Sequence, residues 1–213
     1  MASKSLDGNL VKKAHSTQRF TNQQIEELLQ SSDPSTGPAY FLKHFFFIQH
    51  PTKGKITYEA FAYQEELLES YHSHRFSVNM LGRQMGKTTT AVGYLLWYAM
   101  FVPNSTILIA AHKYTGAKEI MQRLRYAYET CPDHIRGGVT SYNKESIEFD
   151  NGSRIVAQTT TETTGRGMSL SLLYCLDGET TTVKIRNKHT LVEEEITLKD
   201  LYIRMYNPFK VIG

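Results

Sequence analysis

Residues 75–90 read RFSVNMLGRQMGKTTT, and this stretch decides the fold. Its first seven residues have the apolar content and length of a strand, a glycine-containing loop follows, and a helix then continues to about Met100. A Gly-Lys-Thr triplet counts as a phosphate-binding loop only when it lies between a strand and a helix in this way. We therefore expect Gly86, Lys87 and Thr88 to bind the phosphates of a nucleotide. An ordinary strand-to-helix turn that contains a lysine is the alternative.

The residue types of the loop suit a triphosphate and a metal ion. Backbone N–H groups at a helix start bind phosphate oxygens, Lys87 would bridge the β- and γ-phosphates, and the Thr88 hydroxyl would ligate Mg²⁺. The pattern departs from the common Walker A form, because Leu81 stands at the first glycine position and Gly82 follows it by one. We expect ATP and Mg²⁺ as cofactors. The residues expected to contact them are Gly82, Arg83, Gln84, Met85, Gly86, Lys87, Thr88 and Thr89.

Two further residues are candidates for this site. Arg83 lies inside the loop, so its guanidinium can reach the γ-phosphate from the same chain. An arginine that stabilises charge in the transition state is worth ~10³–10⁵ in rate. Gln64 belongs to a helix predicted over residues 60–71, from which its amide can read the edge of an adenine. A surface arginine and a helix-surface glutamine are the respective alternatives.

The remaining chain alternates helices with strands. A capping-box spacing starts a helix at Thr21, and residues 39–49 are either a buried helix or a strand. The other predicted elements are a buried strand at 106–111, a helix at 115–130, a hairpin at 146–158 around Asp-Asn-Gly, and a buried strand at 170–174. Strands that alternate with helices predict an α/β fold whose parallel sheet carries helices on both faces.

Composition bounds the class of protein. The 213 residues are 40% hydrophobic, enough for a packed core, and a net charge of +3 is too small to indicate nucleic acid by itself. Cys131 and Cys175 lie far apart and suggest neither a disulfide framework nor a zinc site. The N-terminus lacks a signal peptide, and the longest apolar run, 91–102, is too short for a bilayer. We expect a cytoplasmic protein without a membrane partner, with residues 1–20 as a loose tail.

The order of these segments resembles the ATPase domain of large terminase subunits, the DNA-packaging motors of tailed phages, here of the myovirus-like type. The resemblance runs from about residue 20 to Tyr174. It is carried by PAYFLKHFFFIQHPTKGK, FAYQEELL, NMLGRQMGKTT, ILIAAHKYTGAKEIMQRLRYAYETCPDHIRGGV, YNKESIEFDNGSRIVAQTT and GRGMSLSLLY. The displaced glycine and the loop arginine of the family match Gly82 and Arg83.

This resemblance implies a P-loop NTPase fold of the ASCE, RecA-like type. It implies that ATP hydrolysis drives double-stranded DNA into a prohead, with the portal and the small terminase subunit as partners. It further implies that Gln64 belongs to an adenine-binding motif and that Arg83 acts as a cis arginine. The expected location is the cytoplasm of a phage-infected bacterium.

The acidic residues that should follow the last motor strand are irregular. A P-loop ATPase needs an Asp directly after an apolar strand, to hold Mg²⁺ through water, and usually an adjacent Glu to polarise the attacking water. After LSLLY the chain reads Cys-Leu-Asp-Gly-Glu. One interpretation takes Asp177 and Glu179 as these acids, in a self-contained P-loop ATPase. The spacing disfavours it, because Asp177 does not follow the predicted strand at once and Gly178 separates the two acids.

Residues 175–213 instead resemble the N-terminal segment of an intein. CLDGET followed by a strand is similar to the first intein motif, and VKIRNKHTLVEEEITLKDLYIRM is similar to the opening hairpin of a Hint fold. The resemblance implies that the Cys175 thiol attacks the carbonyl carbon of Tyr174 and forms a thioester. A free cysteine has a pKa of ~8.5, so the fold must activate it. His189 fits no splicing motif, and we interpret it as a turn histidine.

The sequence thus predicts a tail at 1–20, a partial terminase ATPase domain at 21–174 and an intein segment at 175–213. The expected partner is a complementary fragment that carries the rest of the intein and of the terminase. Alone, the chain is expected to hydrolyse ATP feebly or not at all, because Mg²⁺ would lack its aspartate. The self-contained ATPase and a catalytically silent nucleic-acid-binding module stay open as alternatives. Salt-dependent DNA affinity without nucleotide binding would favour the module.

Overall fold

The computed structural model describes residues 10–79, 81–82, 84–111, 113–160, 164–165, 167–176, 182–186, 193–197 and 200. In these ranges the helices are α1 (Asn22–Ser32), α2 (Gly37–His44), α3 (Ala62–Ser73), α4 (Lys87–Phe101) and α5 (Tyr114–Thr130). The strands are β1 (Phe47–His50), β2 (Gly54–Thr57), β3 (Thr106–Ala111), β4 (Val139–Tyr142), β5 (Ser146–Phe149), β6 (Arg154–Thr159), β7 (Leu172–Leu176), β8 (Thr182–Arg186) and β9 (Glu193–Thr197). Within this part of the chain, no helix is both long and apolar enough to cross a bilayer.

Most of the predicted helices and strands are confirmed. Thr21 caps α1 with its side chain, and Gln24 completes the capping box. The aromatic stretch at 39–49 was predicted to be either a helix or a strand. It contains the end of α2 and, after it, the start of β1. The predicted hairpin at 146–158 is the antiparallel pair β5–β6. Strands β2 and β4, which have only four residues each, were not predicted, and neither was the pairing of β1 with β2.

The main sheet is mixed rather than parallel. Its strand order is β4-β5-β6-β3-β7, with β6, β3 and β7 parallel and the β4–β5 and β5–β6 pairs antiparallel. The predicted parallel sheet is thus found in β6, β3 and β7, whereas β4 and β5 make the sheet mixed. The antiparallel part arises because β4, β5 and β6 follow one another through short turns, which can only reverse the chain.

Helices pack on one face of this sheet. Ile107 and Ile109 point into the hydrophobic core formed with α4 and α5. Their neighbour Leu108 points the opposite way, where an added side-chain carbon at Gly165 would lie 3.3 Å from it. Leu173 pairs with Leu108 on that second face and is 55% exposed. In the described residues the helices thus gather on one face, whereas the sequence predicted helices on both.

Helix α4 is buried on nearly all sides, because the sheet lies on one side and α2 and α3 on the others. Gly93 permits the close approach of α2, since a side-chain carbon there would lie 3.0 Å from Leu42 and 3.1 Å from Phe46. The Trp97 indole N–H donates to the Ser31 carbonyl at 2.7 Å. These contacts fix the axis of the helix that begins at the candidate phosphate loop.

The prediction of a strand at 75–81 is wrong. The described residues of this stretch form no strand, and Phe76 is 76% exposed. A strand needs a neighbour with which to exchange backbone hydrogen bonds, and apolar content alone does not supply one. In the described residues β7 is the outermost strand on its side of the sheet, and residues 75–79 and 81 pair with none of the strands.

Part of the predicted loose tail is held against the domain. Lys12 Nζ donates to the carbonyls of Asp133 and Arg136, each at 2.9 Å. The Arg136 guanidinium, whose residue is 2% exposed, donates to the Leu10 carbonyl at 2.9 Å and pairs with Asp133. Residues 10–12 are therefore part of the packed structure, and residues 1–9 lie outside the described ranges.

The predicted boundary after Tyr174 falls inside β7. This strand was expected at 170–174 and instead spans Leu172–Leu176, paired with β3 through Leu176. Beyond it, β8 and β9 form a separate antiparallel sheet, which confirms the predicted alternating strands there. His189, which we interpret as a turn histidine, and most of the residues after β9 lie outside the described ranges.

Candidate functional site

The candidate loop lies at the carboxyl end of the parallel strands. Helix α4 ends at Phe101 and β3 begins at Thr106, so the short connection makes the helix antiparallel to the strand. The start of α4 is thereby placed beside the ends of β3 and β7. Ligands of open α/β sheets bind in the crevice at this edge. The first N–H groups of a helix have no intrahelical acceptors and favour an anion.

Two residues of the loop have left-handed backbone conformations. Gln84 has φ 63° and Gly86, the N-cap of α4, has φ 73°. A side-chain carbon at Gly86 would lie 2.4 Å from Nε2 of Gln64, so both the conformation and the space require glycine. At Gln84 the exposed side chain accepts a conformation that is uncommon outside glycine. The loop is therefore bent tightly just before the helix begins.

Lys87 folds back across the loop. Its Nζ donates to the Leu81 carbonyl at 2.8 Å, a contact that joins the first residue of α4 to the entrance of the loop. The side chain is half-buried. The ammonium group is thus held over the loop, where it can exchange a carbonyl oxygen for the oxygens of a phosphate.

Thr88 contacts the end of the sheet. Its hydroxyl lies close enough to the side chain of Tyr174, the third residue of β7, to influence the pKa of that phenol. Burial raises the pKa of Tyr174, and the contact with Thr88 offsets part of this rise. The phenol therefore stays protonated at neutral pH. The contact places Tyr174 of β7 beside the first turn of α4.

Gln64 is buried behind the loop, with 5% of the residue exposed. Its Oε1 accepts hydrogen bonds from the Phe61 N–H and the Tyr58 hydroxyl, both at 3.1 Å. Its Nε2 donates to the Met85 carbonyl at 3.1 Å. Three of the four hydrogen bonds that an amide side chain can form are thus made within the protein. The glutamine contacts the loop directly, and its role toward adenine stays a prediction.

Two tyrosines complete the contacts behind the loop. The Tyr63 hydroxyl donates to the same Met85 carbonyl at 3.1 Å. The Tyr58 hydroxyl also bonds to the Thr90 hydroxyl at 2.7 Å, and burial raises the pKa of Tyr58. The sequence analysis did not single out either tyrosine. Tyr63 adjoins Gln64 in the chain, but no local signal could have revealed the contact between Tyr58 and Thr90, which are 32 residues apart.

The structure describes some of the other predicted residues and leaves others undescribed. Gly82 is exposed, and Met85 and Thr89 are half-buried in the loop and first turn. Cys175 has an exposed side chain in β7. Arg83, Asp177 and Glu179 lie outside the described residues, so their predicted roles rest on the sequence. The structure brings together Gln64, Met85, Gly86, Lys87 and Thr88 around the start of α4.

The fold and this loop define an α/β domain with a candidate anion-binding helix start at the carboxyl edge of its sheet. A comparison with protein families makes the class more specific. Residues 78–177, a little under half of the chain, match the family described as "Terminase large subunit, T4likevirus-type, N-terminal". The match contains the loop, α4 and the core strand β3, and it ends directly after β7. The match supports a relationship to phage terminases and, at a coarse level, an ATPase function in viral DNA packaging.

Proposed function

We propose that residues 21–174 bind Mg·ATP at the loop 82–89 and form part of the ATPase motor that drives double-stranded DNA into a phage prohead. The family match supports the motor class. The observation that carries the nucleotide site is the arrangement of Lys87 and Thr88 at the start of a buried helix, beside the end of β7. By the same resemblance, the portal and the small terminase subunit are the proposed protein partners.

The proposed roles follow from the chemistry of each group. The Lys87 ammonium leaves the Leu81 carbonyl and bridges the β- and γ-phosphates as a point charge. The N–H groups of the loop and first helical turn bind phosphate oxygens. Arg83 is the proposed cis arginine for charge that develops on the transferred phosphoryl group. Gln64 is the proposed adenine contact, through the one amide hydrogen that its observed bonds leave over.

The oxygen chemistry around Thr88 fits a magnesium ion. Mg²⁺ prefers oxygen ligands and is usually bound by one or two protein groups together with phosphates. The Thr88 hydroxyl supplies one such oxygen, and its partner Tyr174 shows that it faces the end of β7. When bound, the metal would neutralise charge on the triphosphate. Holding Thr88 against β7 keeps its oxygen at the edge of the sheet where the phosphates are expected.

Calorimetric titration with ATPγS and Mg²⁺ tests the site. Lys87→Ala removes a charge-assisted contact and should weaken binding about ten- to one-hundredfold. Lys118→Ala is the matched control, because it removes an exposed lysine on α5. Thr88→Val should weaken binding only when Mg²⁺ is present. Equal affinity of wild type and Lys87→Ala would contradict the proposed site.

We propose that residues 175–213 are the N-terminal segment of an intein, with Cys175 as the first nucleophile. The intein resemblance supports this, and the separate β8–β9 sheet is consistent with a unit distinct from the motor sheet. The exposed side chain of Cys175 is accessible for chemistry. With a complementary fragment, splicing would join Tyr174 to a Cys, Ser or Thr. The motor would then receive its acidic residues from that fragment.

A specific observation favours the self-contained ATPase as a second candidate. β7 continues through Leu176, so Asp177 follows the strand directly, and the family match extends to residue 177. This removes one of the two spacing objections to Asp177 as the metal aspartate. Gly178 still separates it from Glu179.

Two substitutions distinguish these candidates. Asp177→Ala should abolish Mg²⁺-dependent ATP turnover by the 213-residue chain only if the ATPase is self-contained. Cys175→Ala should abolish ligated product with a complementary fragment only if the chain splices. Turnover comparable to that of a whole terminase from the wild-type chain would contradict the expectation that this chain alone lacks the aspartate for Mg²⁺. Ligated product from Cys175→Ala would contradict Cys175 as the nucleophile.

A further inference from the structure

The peptide bond between Met85 and Gly86 is held from one side by two side chains of α3. The Met85 carbonyl accepts from Tyr63 at 3.1 Å and from Gln64 at 3.1 Å. No cis peptide occurs in the described residues, so the Gly86 N–H points opposite to that carbonyl. Because the carbonyl is directed toward α3, this N–H is directed away from α3.

Glycine by itself does not fix the orientation of this peptide. Gly86 has φ 73°, but a glycine adopts positive and negative φ almost equally well. A rotation of the peptide plane would therefore meet little resistance at Gly86. It would turn a carbonyl oxygen to the side where the N–H now lies, and a carbonyl repels phosphate. An external restraint is needed to keep the donor in place.

Tyr58 supports this restraint from behind. Its hydroxyl bonds to Oε1 of Gln64 and to the hydroxyl of Thr90 in α4. Tyr58, Gln64 and Thr90 are all buried, so water does not replace a bond that is lost. The amide of Gln64 is thereby held with its nitrogen toward the Met85 carbonyl.

We infer that Tyr63, Gln64 and Tyr58 are positioning residues that lock the Met85–Gly86 peptide with its N–H available to a phosphate. This inference rests on the proposed nucleotide site and adds residues to it. In this role Gln64 acts on the phosphate end of the nucleotide through the loop. An adenine contact by the same side chain predicts a different pattern of affinities.

Titration with two probes separates these roles. ATPγS and inorganic tripolyphosphate, each with Mg²⁺, share the phosphate chain, but only ATPγS carries a base. Tyr63→Phe removes one restraint and should weaken both probes by the same factor, about fivefold for one net hydrogen bond. Gln64→Glu keeps the oxygen that accepts from Phe61 and Tyr58 but replaces the donor to Met85, and should weaken both probes by about tenfold or more. The proposed adenine contact would add a further loss for ATPγS alone. Tyr58→Phe should produce a smaller loss for both probes, because it acts through Gln64.

Tyr142→Phe is the matched control. It also removes a tyrosine hydroxyl bond, at 2.8 Å to Glu129, but far along the chain from the loop. Its affinity for both probes should equal that of the wild type. If Tyr63→Phe and Gln64→Glu lost affinity for ATPγS alone, these residues would act on the base and the inferred lock would be wrong. Unchanged affinity of both variants for both probes would also contradict the lock. A wild-type chain that binds neither probe would remove the proposed nucleotide site itself, and the lock with it.

Discussion

Replacement of Gly86 by alanine should destabilise the protein through two separable effects. An L-residue in the left-handed conformation costs roughly 1–2 kcal/mol. The new side-chain carbon would also lie 2.4 Å from Nε2 of Gln64, so that side chain must move. Gln64 makes three hydrogen bonds, each worth about 1 kcal/mol. Loss of all three brings the expected decrease in the free energy of unfolding to about 4–5 kcal/mol.

Gly54 provides a control with the same backbone conformation. Its φ is 70°, and an added side-chain carbon there would have nothing within 4 Å. Gly54→Ala should therefore cost only the conformational part, roughly 1–2 kcal/mol. The difference between the two variants measures the displacement of Gln64. Urea unfolding followed by the fluorescence of Trp97, the single tryptophan and a buried one, reports both values.

A double-mutant cycle checks the assignment to Gln64. In a Gln64→Ala background the obstructing side chain is absent, so Gly86→Ala should cost no more than Gly54→Ala does in the wild type. Equal costs for Gly86→Ala and Gly54→Ala in the wild-type background would refute the reasoning. Such a result would mean that the loop accommodates a side chain at residue 86 without disturbing the buried amide of Gln64.

Three further substitutions probe the scaffold. Trp97→Phe leaves the buried Ser31 carbonyl without its donor and should lower the free energy of unfolding, measured by circular dichroism, by about 2 kcal/mol. Deletion of residues 1–15 removes a carbonyl partner of buried Arg136 and should cost about 2 kcal/mol in urea, whereas a loose tail would cost nothing. Hydrogen bonds from Thr36 and Ser35 hold the pKa of Asp33 below its usual value. The contribution of Asp33 to the free energy of unfolding is therefore fully present above about pH 3.9, and it is lost as the pH falls through the lowered pKa of the folded state. The urea midpoint of Asp33→Asn should therefore fall less than that of the wild type over this pH range.

Local signals in the sequence predicted the elements that depend on local interactions. The capping box at Thr21 and the continuous apolar run at 106–111 are both reproduced, with β3 matching its predicted bounds. The stretch at 75–81 also contains apolar residues, but its described residues pair with no strand, and sequence alone does not show whether a neighbour exists. Strand pairing is a non-local property, so the mixed sheet was also missed.

The candidate site shows the same division. The Gly-Lys-Thr triplet located the start of α4, although the strand that was expected before it is not found in the described residues. The restraint on Met85 could not be foreseen, since it depends on the distance between α3 and the loop. Gln64 was selected for contact with a base, and the structure adds a contact with the loop that its position in the sequence does not indicate.

The position of the predicted splice boundary has a consequence for the order of events. Tyr174 and Cys175 pair with Ile109 and Ala110 in the interior of β3, so the bond between them lies within the sheet. Attack by a thiol on the carbonyl carbon of Tyr174 passes through a tetrahedral carbon, which a planar, hydrogen-bonded peptide in a strand resists. Among the described strands β7 has a neighbour on one side only, so this edge of the sheet can open locally at a lower cost than the centre. If Cys175 is a splicing nucleophile, the end of β7 must therefore separate from β3 before the thioester forms. Contacts that hold β7 in place, including the contact of Tyr174 with Thr88, should then slow splicing while they stabilise the nucleotide site.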